Sequence, residues 1–453
     1  MKITTKGLKN ELTVRSLNKK QYKQLDFKHT GFENKKFQTI VQNGILYFST
    51  TDMKKPSDWR ELGTVVGKTI LRTKAKSACT ILTKVEDEFL EGVLLSDYSF
   101  NRYKSEKKIE KEVILQVIVN SNQGKSVKDK LKEITARVKA QNTTKDWVNT
   151  APEDAHSASI LKYVEKKFKG SFVDVTIYNE KYLKQLGMNG HLAVNRASRH
   201  KAMTIKLDYN PFANGANVKH NVFVGKGLTY DSGGLDIKTG GHMTGMKSDK
   251  AGAMTLLGFM EYIKTHGAAT RVTCYLALAE NMIDGTAYKS DDVLTMKNGK
   301  TVHIKNTDAE GRIVLFDNLC LAEEEYPKAT TYHSLATLTG AAVYQFDGAC
   351  GLVGFNDELK KKIQKCGRKT GEIYMDAAFH TDMMDGVDDK LADLSNTGTP
   401  NMGCQKAGLF LTNAMTKKGK KRYVHHDIAG PAFVKGFATG FGVRTLINFI
   451  KGK

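Results

Sequence analysis

The sequence predicts an α/β protein in two parts: a small N-terminal α/β domain over residues 1–150, and a larger α/β/α domain over residues 151–453 with a mostly parallel central sheet. Three observations predict it. Past residue 150, short apolar runs alternate with helical stretches of about ten residues or more, the pattern of a parallel sheet covered on both faces. A long amphipathic segment closes the first part, and Thr150-Ala151-Pro152 interrupts it, because proline disfavours helix at the residue before it. Charge is also uneven. Residues 1–150 hold 30 Lys+Arg against 17 Asp+Glu, whereas the remaining residues hold 40 against 31.

In chain order, strand-like runs at 39–42, 45–49 and 113–119 mix with helical pieces and build the first domain. A polar turn at 121–125 leads into a helix over 127–148, with Leu131, Ile134 and Val138 at helical spacing. The junction falls at 145–155. A helix from Ser157, a strand over 172–177 and a helix over 180–186 follow. Strands at 203–207 and 222–224 precede a glycine-rich loop. A helix over 251–264, a strand over 272–277, a helix over 309–325, and strands at 331–336 and 351–353 complete the alternation. Ligands of such sheets bind outside the carboxyl ends of the strands.

With 453 residues, 40% apolar, the chain can bury a full core, which excludes a wholly disordered protein. Length alone suggests about three domains, or two if one is a large α/β unit. The N-terminus lacks a secretory apolar stretch, and the strongest apolar run, 113–119, is far short of the roughly 18 residues of a membrane span. Six scattered cysteines without a Cys-x-x-Cys pair fit reduced thiols in a cytoplasmic protein. Without a signal, Asn142-Thr143-Thr144 reads as a chance glycosylation match. The net charge of +22 admits nucleic acid, an anionic surface or an acidic partner, and says nothing about fold.

Two segments carry chemistry. The first, Gly225-Lys226-Gly227 through Asp231-Ser232-Gly233-Gly234 to Lys238, places four glycines where the backbone must turn at positive φ or approach something closely. It lacks the phosphate-loop and dinucleotide spacings. A carboxylate amid such a cradle would repel a phosphate, so Asp231 points to a cation. The second, Asn306-Thr307-Asp308-Ala309-Glu310-Gly311-Arg312, puts two acids and an arginine at alternate positions, on one face if the stretch is extended. Alone, this reads best as a salt-bridged surface turn. Beside Asp231 and Asp249 it becomes a four-carboxylate set, the complement of two divalent ions clamping a hydrolytic water. Such oxygen-rich sites hold Zn²⁺, Mn²⁺ or Mg²⁺.

Lys226, Asp231, Lys238, Asp249 and Asn306 to Arg312, taken in order, closely resemble the cytosolic leucine aminopeptidase family, the M17 two-metal exopeptidases. The resemblance continues through Thr337-Leu338-Thr339-Gly340 and Asp427-Ile428-Ala429-Gly430, and covers about residue 145 to the end. It implies that Asp231 and Glu310 are shared by both metals. Asp308 completes the more exchangeable site, and Lys226 and Asp249 the tighter one. Lys238 stabilises the oxyanion. Arg312 holds a bicarbonate that serves as base. Met246 lines the pocket for the first side chain, and Thr337, Leu338, Thr339 and Gly340 bind the substrate backbone. The resemblance further implies Zn²⁺ or Mn²⁺, with Mg²⁺ or Co²⁺ at the exchangeable site, peptide substrates with leucine and other apolar first residues preferred, and a homohexamer.

Other features read more plainly. His242 and His425-His426 invite a metal reading, but no His-Glu-x-x-His exists, and the pair belongs on a strand beside Asp427. Met243, Met246, Met254 and Met260 are core or pocket lining. The runs Lys360-Lys361-Lys362 and Lys417-Lys418-Gly419-Lys420-Lys421 are solvated faces. Two residues depart from the family pattern: Thr239 after Lys238, and Lys250 after Asp249. Lys250 either brings a cation to the metals or points away. The alternative to a peptidase is a peptidase-fold scaffold that binds nucleic acid or serves a structural role. Decay of the metal-ligating residues would favour it, and all of them are intact.

Overall fold

The computed structural model describes residues 2–4, 12–17, 19–23, 25, 32–73, 75–81, 86–105, 114–118, 124–212, 218–380, 382–383, 387–398 and 401–452. The chain forms two compact units, 1–139 with 369–371, and 140–368 with 372–453. The division falls inside a helix, ahead of the 145–155 junction read from the sequence.

The first unit holds a six-stranded sheet. Its strands are β1 (Lys2–Thr4), β2 (Leu12–Leu17), β3 (Thr39–Gln42), β4 (Ile45–Ser49), β5 (Ser77–Ile81) and β6 (Ile114–Ile118). The order is β1-β6-β5-β2-β4-β3, parallel except for the β3–β4 hairpin. Val113, Val119 and most of the expected 121–125 turn lie outside the described residues. Its helices are α1 (Lys19–Tyr22), α2 (Pro56–Arg72), α3 (Asp87–Leu95) and the first part of α4 (Gly124–Asn149). Pro56 starts α2, where a missing N–H costs nothing. Leu62, Val66 and Ile70 of α2 are buried at helical spacing in this unit's core.

The second unit is larger. Its helices are the remainder of α4, α5 (Ser157–Phe168), α6 (Glu180–Gln185), α7 (Asn189–Asn195), α8 (Ala251–His266), α9 (Glu310–Glu325), α10 (Gly340–Phe346), all but the last two residues of α11 (Asp357–Thr370), α12 (Gly403–Thr412), α13 (Lys417–Lys420) and α14 (Val443–Ile450). Its main strands are β7 (Val173–Asn179), β8 (Met203–Tyr209), β9 (His220–Asp231) and β10 (Arg271–Asn281). After the small strands β11 (Val293–Thr295) and β12 (Thr301–His303) come β13 (Thr331–Ala336), β14 (Cys350–Val353), β15 (Tyr374–Asp376), β16 (Leu394–Ser395) and β17 (Tyr423–Asp427). The eight-stranded sheet runs β15-β14-β17-β13-β9-β10-β8-β7. Its four central strands are parallel, and antiparallel pairs flank them. β9, β10 and β13 are buried along almost their whole length, as strands of a sheet covered on both faces are.

The carboxyl ends of β9, β10, β13 and β17 fall together at Asp231, Asn281, Ala336 and Asp427. In register, Asn281 faces Asp231, and Ala336 faces Asp427. One expectation is corrected here. Residues 225–231 are strand, not loop. Gly225 is needed because α8 packs so closely: a Cβ there would come 2.6 Å from Ala253 Cα. This closeness also seats the short 3₁₀ turn Met246–Lys250, just before α8, against β9. The turn-forming role belongs to Gly233 and Gly234, at φ +89° and +64°. Among the described residues, no helix is long and apolar enough to cross a membrane.

Candidate metal centre

A cleft of about 650 Å³ opens at the carboxyl edge of the sheet. All twelve residues singled out from the sequence line it: Lys226, Asp231, Lys238, Met246, Asp249, Asp308, Glu310, Arg312, Thr337, Leu338, Thr339 and Gly340. They arrive from separate elements. Lys226 and Asp231 stand on β9, Asp249 in the 3₁₀ turn, and Asp308 in the turn before α9. Glu310 and Arg312 occupy the first turn of α9, and 337–340 run from β13 into α10. The expected extended stretch through 308–312 is therefore not formed. A turn followed by a helix start gathers Asp308 and Glu310 instead.

The centre consists of four carboxylates and two ammonium groups. Lys226 Nζ lies 2.8 Å from Asp249 Oδ2 and 2.8 Å from Glu310 Oε1, and donates to Thr337 O at 3.1 Å. Lys238 Nζ lies 2.9 Å from Asp231 Oδ2 and also pairs with Asp308 Oδ1. Asp231 Oδ1 accepts from Gly233 N (2.9 Å) and Asn281 Nδ2 (2.8 Å), and Asp249 Oδ1 accepts from Thr337 Oγ1 at 2.8 Å.

Burial decides the protonation. It pushes the Glu310 carboxyl up to about 8, helped by Asp231 and opposed by Lys226. Burial and Asp231 also raise Asp308, to about 6, against the pull of Lys238. Asp249 moves up for the same first reason. Burial works against charge on Lys226, yet Asp249, Glu310 and Asp231 outweigh it and raise the ammonium above its ordinary value.

These residues fit divalent cations. Asp231, Asp308 and Glu310 each offer an oxygen within 4.8 Å of the others'. Asp249 Oδ2 and Glu310 Oε1 are buried, and among the described residues they share one partner, Lys226 Nζ, at 2.8 Å from each. One ammonium is thus shared between two buried carboxyl groups, and a divalent ion would add positive charge that offsets the cost of burying them. Arg312 presents a matching deficit. It is buried, its Nη1 donates to Asn396 O at 2.8 Å, and its Nε has no partner among the described residues. Burial holds its pKa below the usual value, although Glu310 and Asp427 pull the other way.

Sequence reading missed the supports. Asn281 ties Asp231 to Thr307 O. Asp236 accepts from Thr307 N and Ser290 Oγ. Asp427 accepts from Leu338 N, Thr339 Oγ1 and Ala429 N, and so fixes the 337–340 segment. Of these, Asp427 stood in a recognisable motif and Asp236 within the first of the two segments, whereas Asn281 carried no signal. The departures from pattern also resolve. Lys250 points away from the cleft, its Nζ on Lys247 O (2.6 Å) and Thr150 O (3.3 Å), and burial lowers it to about 7. Thr239 and His242 line the cleft. His425 and His426 do not line it. They sit buried on β17 with ring nitrogens on Ser334 Oγ and on His333 Nδ1.

The catalytic-domain model of the cytosol aminopeptidase family matches residues 142–447. A probable cytosol aminopeptidase of Wolinella succinogenes is 35% identical over 446 residues, spanning 94% of this chain and 91% of that one. The Campylobacter jejuni protein of the same description is 38% identical over 382 residues, spanning 80% and 77%. A solved structure described as the bottromycin maturation enzyme BotP in complex with Mn shares the fold at a TM-score of 0.84. It is 24% identical, and the match covers 97% of this chain and 98% of that one. The chain belongs to the M17 cytosol aminopeptidase family.

Proposed function

We propose that this protein is a two-metal aminopeptidase that releases apolar first residues, leucine among them, from peptides. The observation that carries the reading is a cluster in which Asp231, Asp308 and Glu310 each offer an oxygen within 4.8 Å of the others', with Asp249 joined to it through Lys226. Asp231 and Glu310 would be shared by both ions. Asp308 would serve the exchangeable site, and Lys226 and Asp249 the tighter one. When bound, divalent ions supply Lewis acidity and lower the pKa of water toward neutrality.

The chain's own residues do the rest. Lys238 stands where its ammonium can donate to a carbonyl oxygen as charge develops on it. Arg312, which lines the cleft and whose Nε is unpaired among the described residues, would hold a bicarbonate, whose chemistry there is that of a general base. Thr337 to Gly340, fixed from below by Asp427, align the substrate backbone. Met246 and Leu338 give the first side chain an apolar wall. An acidic end to the cleft suits a free α-amine, which confines cleavage to chain ends. Zn²⁺ or Mn²⁺ suits the tighter site, and Mg²⁺ or Co²⁺ also suits the exchangeable one.

Hydrolysis of a leucyl-arylamide with and without Mn²⁺ or Zn²⁺, alongside Glu310→Ala, tests the reading. Metal-dependent activity that the substitution abolishes is expected. Full activity in Glu310→Ala would overturn the metal assignment. The homohexamer belongs to the same proposal, and sizing chromatography should then report six times the 50.3 kDa chain.

A further inference from the structure

We infer that Asn396 is a positioning residue of this cleft, setting the segment that carries Asp308 and holding the Arg312 guanidinium without itself lining the cleft. The inference rests on the aminopeptidase reading for its catalytic consequence, and on geometry for the rest.

Asn396 follows β16 directly and is completely buried. Its side chain and backbone both engage the site. Oδ1 accepts from Lys305 N at 2.8 Å and from Asn306 N at 3.4 Å, and Nδ2 donates to Asn306 O at 2.6 Å. Its backbone N donates to His303 O at 3.1 Å. Its backbone O accepts from Arg312 Nη1 at 2.8 Å, the one hydrogen bond of Arg312 among the described residues. One residue thus grips the chain just before Asp308 and the arginine just after Glu310.

Neighbouring structure supplies little of this. The β12–β16 pairing spans only Val302↔Leu394 and His303↔Ser395. The amide continues that short ladder with side-chain bonds where strand pairing ends. Only an amide both accepts from two N–H groups and donates to a carbonyl at this length. An aspartate would set a carboxylate oxygen against Asn306 O, and alanine would leave three backbone groups in a partly buried place unpaired. Released there, the segment and the Asn396 carbonyl would shift together, and Arg312 would lose its one fixed point. A misplacement of about 1 Å costs on the order of a hundredfold in rate.

The test uses the full chain saturated with Mn²⁺. In Asn396→Ala, phenylglyoxal labelling of Arg312, read by mass spectrometry, should rise about tenfold over the wild type, as expected for loss of one buried hydrogen bond. Labelling of Arg271, which pairs with Asp208 elsewhere in the sheet, should stay unchanged. With leucyl-arylamide, kcat should fall about tenfold to a hundredfold with KM within about twofold. Against an Arg312→Ala background the same substitution should cost less than it does alone, because part of its effect passes through that arginine. Unchanged Arg312 labelling, a parallel rise at Arg271, or effects that multiply in the double variant would each overturn the inference. Should Asn396→Ala fail to fold, Asn396→Asp keeps the size and the Oδ1 acceptor, and the same labelling decides. If the wild type does not hydrolyse the substrate, the aminopeptidase reading fails, and the labelling still decides the positioning role.

Discussion

Lys226 Nζ lies 2.8 Å from Glu310 Oε1, and the residue after that glutamate, Gly311, is what leaves room for the lysine stem. A Cβ at 311 would come 2.3 Å from Lys226 Cε and 2.5 Å from its Nζ. Gly311 is helical, so its value lies in the missing side chain.

Gly311→Ala therefore sets two effects against each other. Helix propensity favours alanine by about 1 kcal/mol. Overpacking a closed site costs about 1–3 kcal/mol and displaces Lys226. The clash wins: kcat/KM should fall on the order of a hundredfold while the fold survives. Steady-state kinetics and a thermal melt check this. An alanine variant with wild-type activity would show that Lys226 need not sit where it does.

Divalent-ion affinity should rise with pH through the range 6 to 8. Without metal, Asp308 keeps its proton to about 6 and Glu310 to about 8. Ligation needs both ionised, so loading expels protons. Both folded values lie above the unfolded ones. Their contribution to metal-free stability is thus complete below the unfolded values and is lost as pH climbs through 6 and 8. Calorimetry of Mn²⁺ binding in buffers of different ionisation enthalpy reads the proton release. Glu310→Gln should release fewer protons and bind more weakly. Proton release equal to the wild type would contradict the assignment.

His191 should make the fold acid-sensitive. It is completely buried, with Nε2 on Leu278 O and Nδ1 on the Asn318 amide, and burial lowers it to about 4. Depressed below its unfolded value, its contribution is present above about 6.5 and lost as pH falls toward 4. The stability gap between wild type and His191→Gln should be roughly 2 kcal/mol smaller at pH 5 than at pH 7. Denaturant melts at the two pH values measure it. A gap independent of pH would mean that the ring is protonated in place.

Lys250 should not steer specificity. Its ammonium is spent on two backbone carbonyls away from the cleft. Lys250→Met should leave the ratio of kcat/KM for acidic and apolar first residues within about twofold, while unpairing buried carbonyls costs about 1–3 kcal/mol. Competing substrates and a urea melt separate the two. A shifted ratio would place the cation in the cleft.

Much of the site was legible because its chemistry is written in short segments. Lys226 to Lys238 and Asn306 to Arg312 announce themselves by acids and glycines at fixed spacing. The local geometry was less legible. Gly225 looks like a loop glycine and is a strand residue, because what demands it is a helix from elsewhere in the chain. The 308–312 alternation suggested an extended face, but Glu310 starts a helix, and convergence comes from the turn before it. Asn396 was invisible, since its partners lie 84 and 90 residues away. Lys250 could not be oriented without knowing that a 3₁₀ turn carries it.

The order of these pieces along the chain has a consequence for biosynthesis. A ribosome has delivered every acidic residue of the centre once Glu310 emerges, yet Asn396 and Asp427, which brace 305–312 and 337–340, come much later. Nascent chain of that length carries all the acidic charge but only the bracing that Asn281 and Asp236 supply. Four like-charged side chains would then stay apart in solvent. Loading must wait for nearly the whole second unit, so a chain truncated before residue 396 would carry the family's signature and have no use for it.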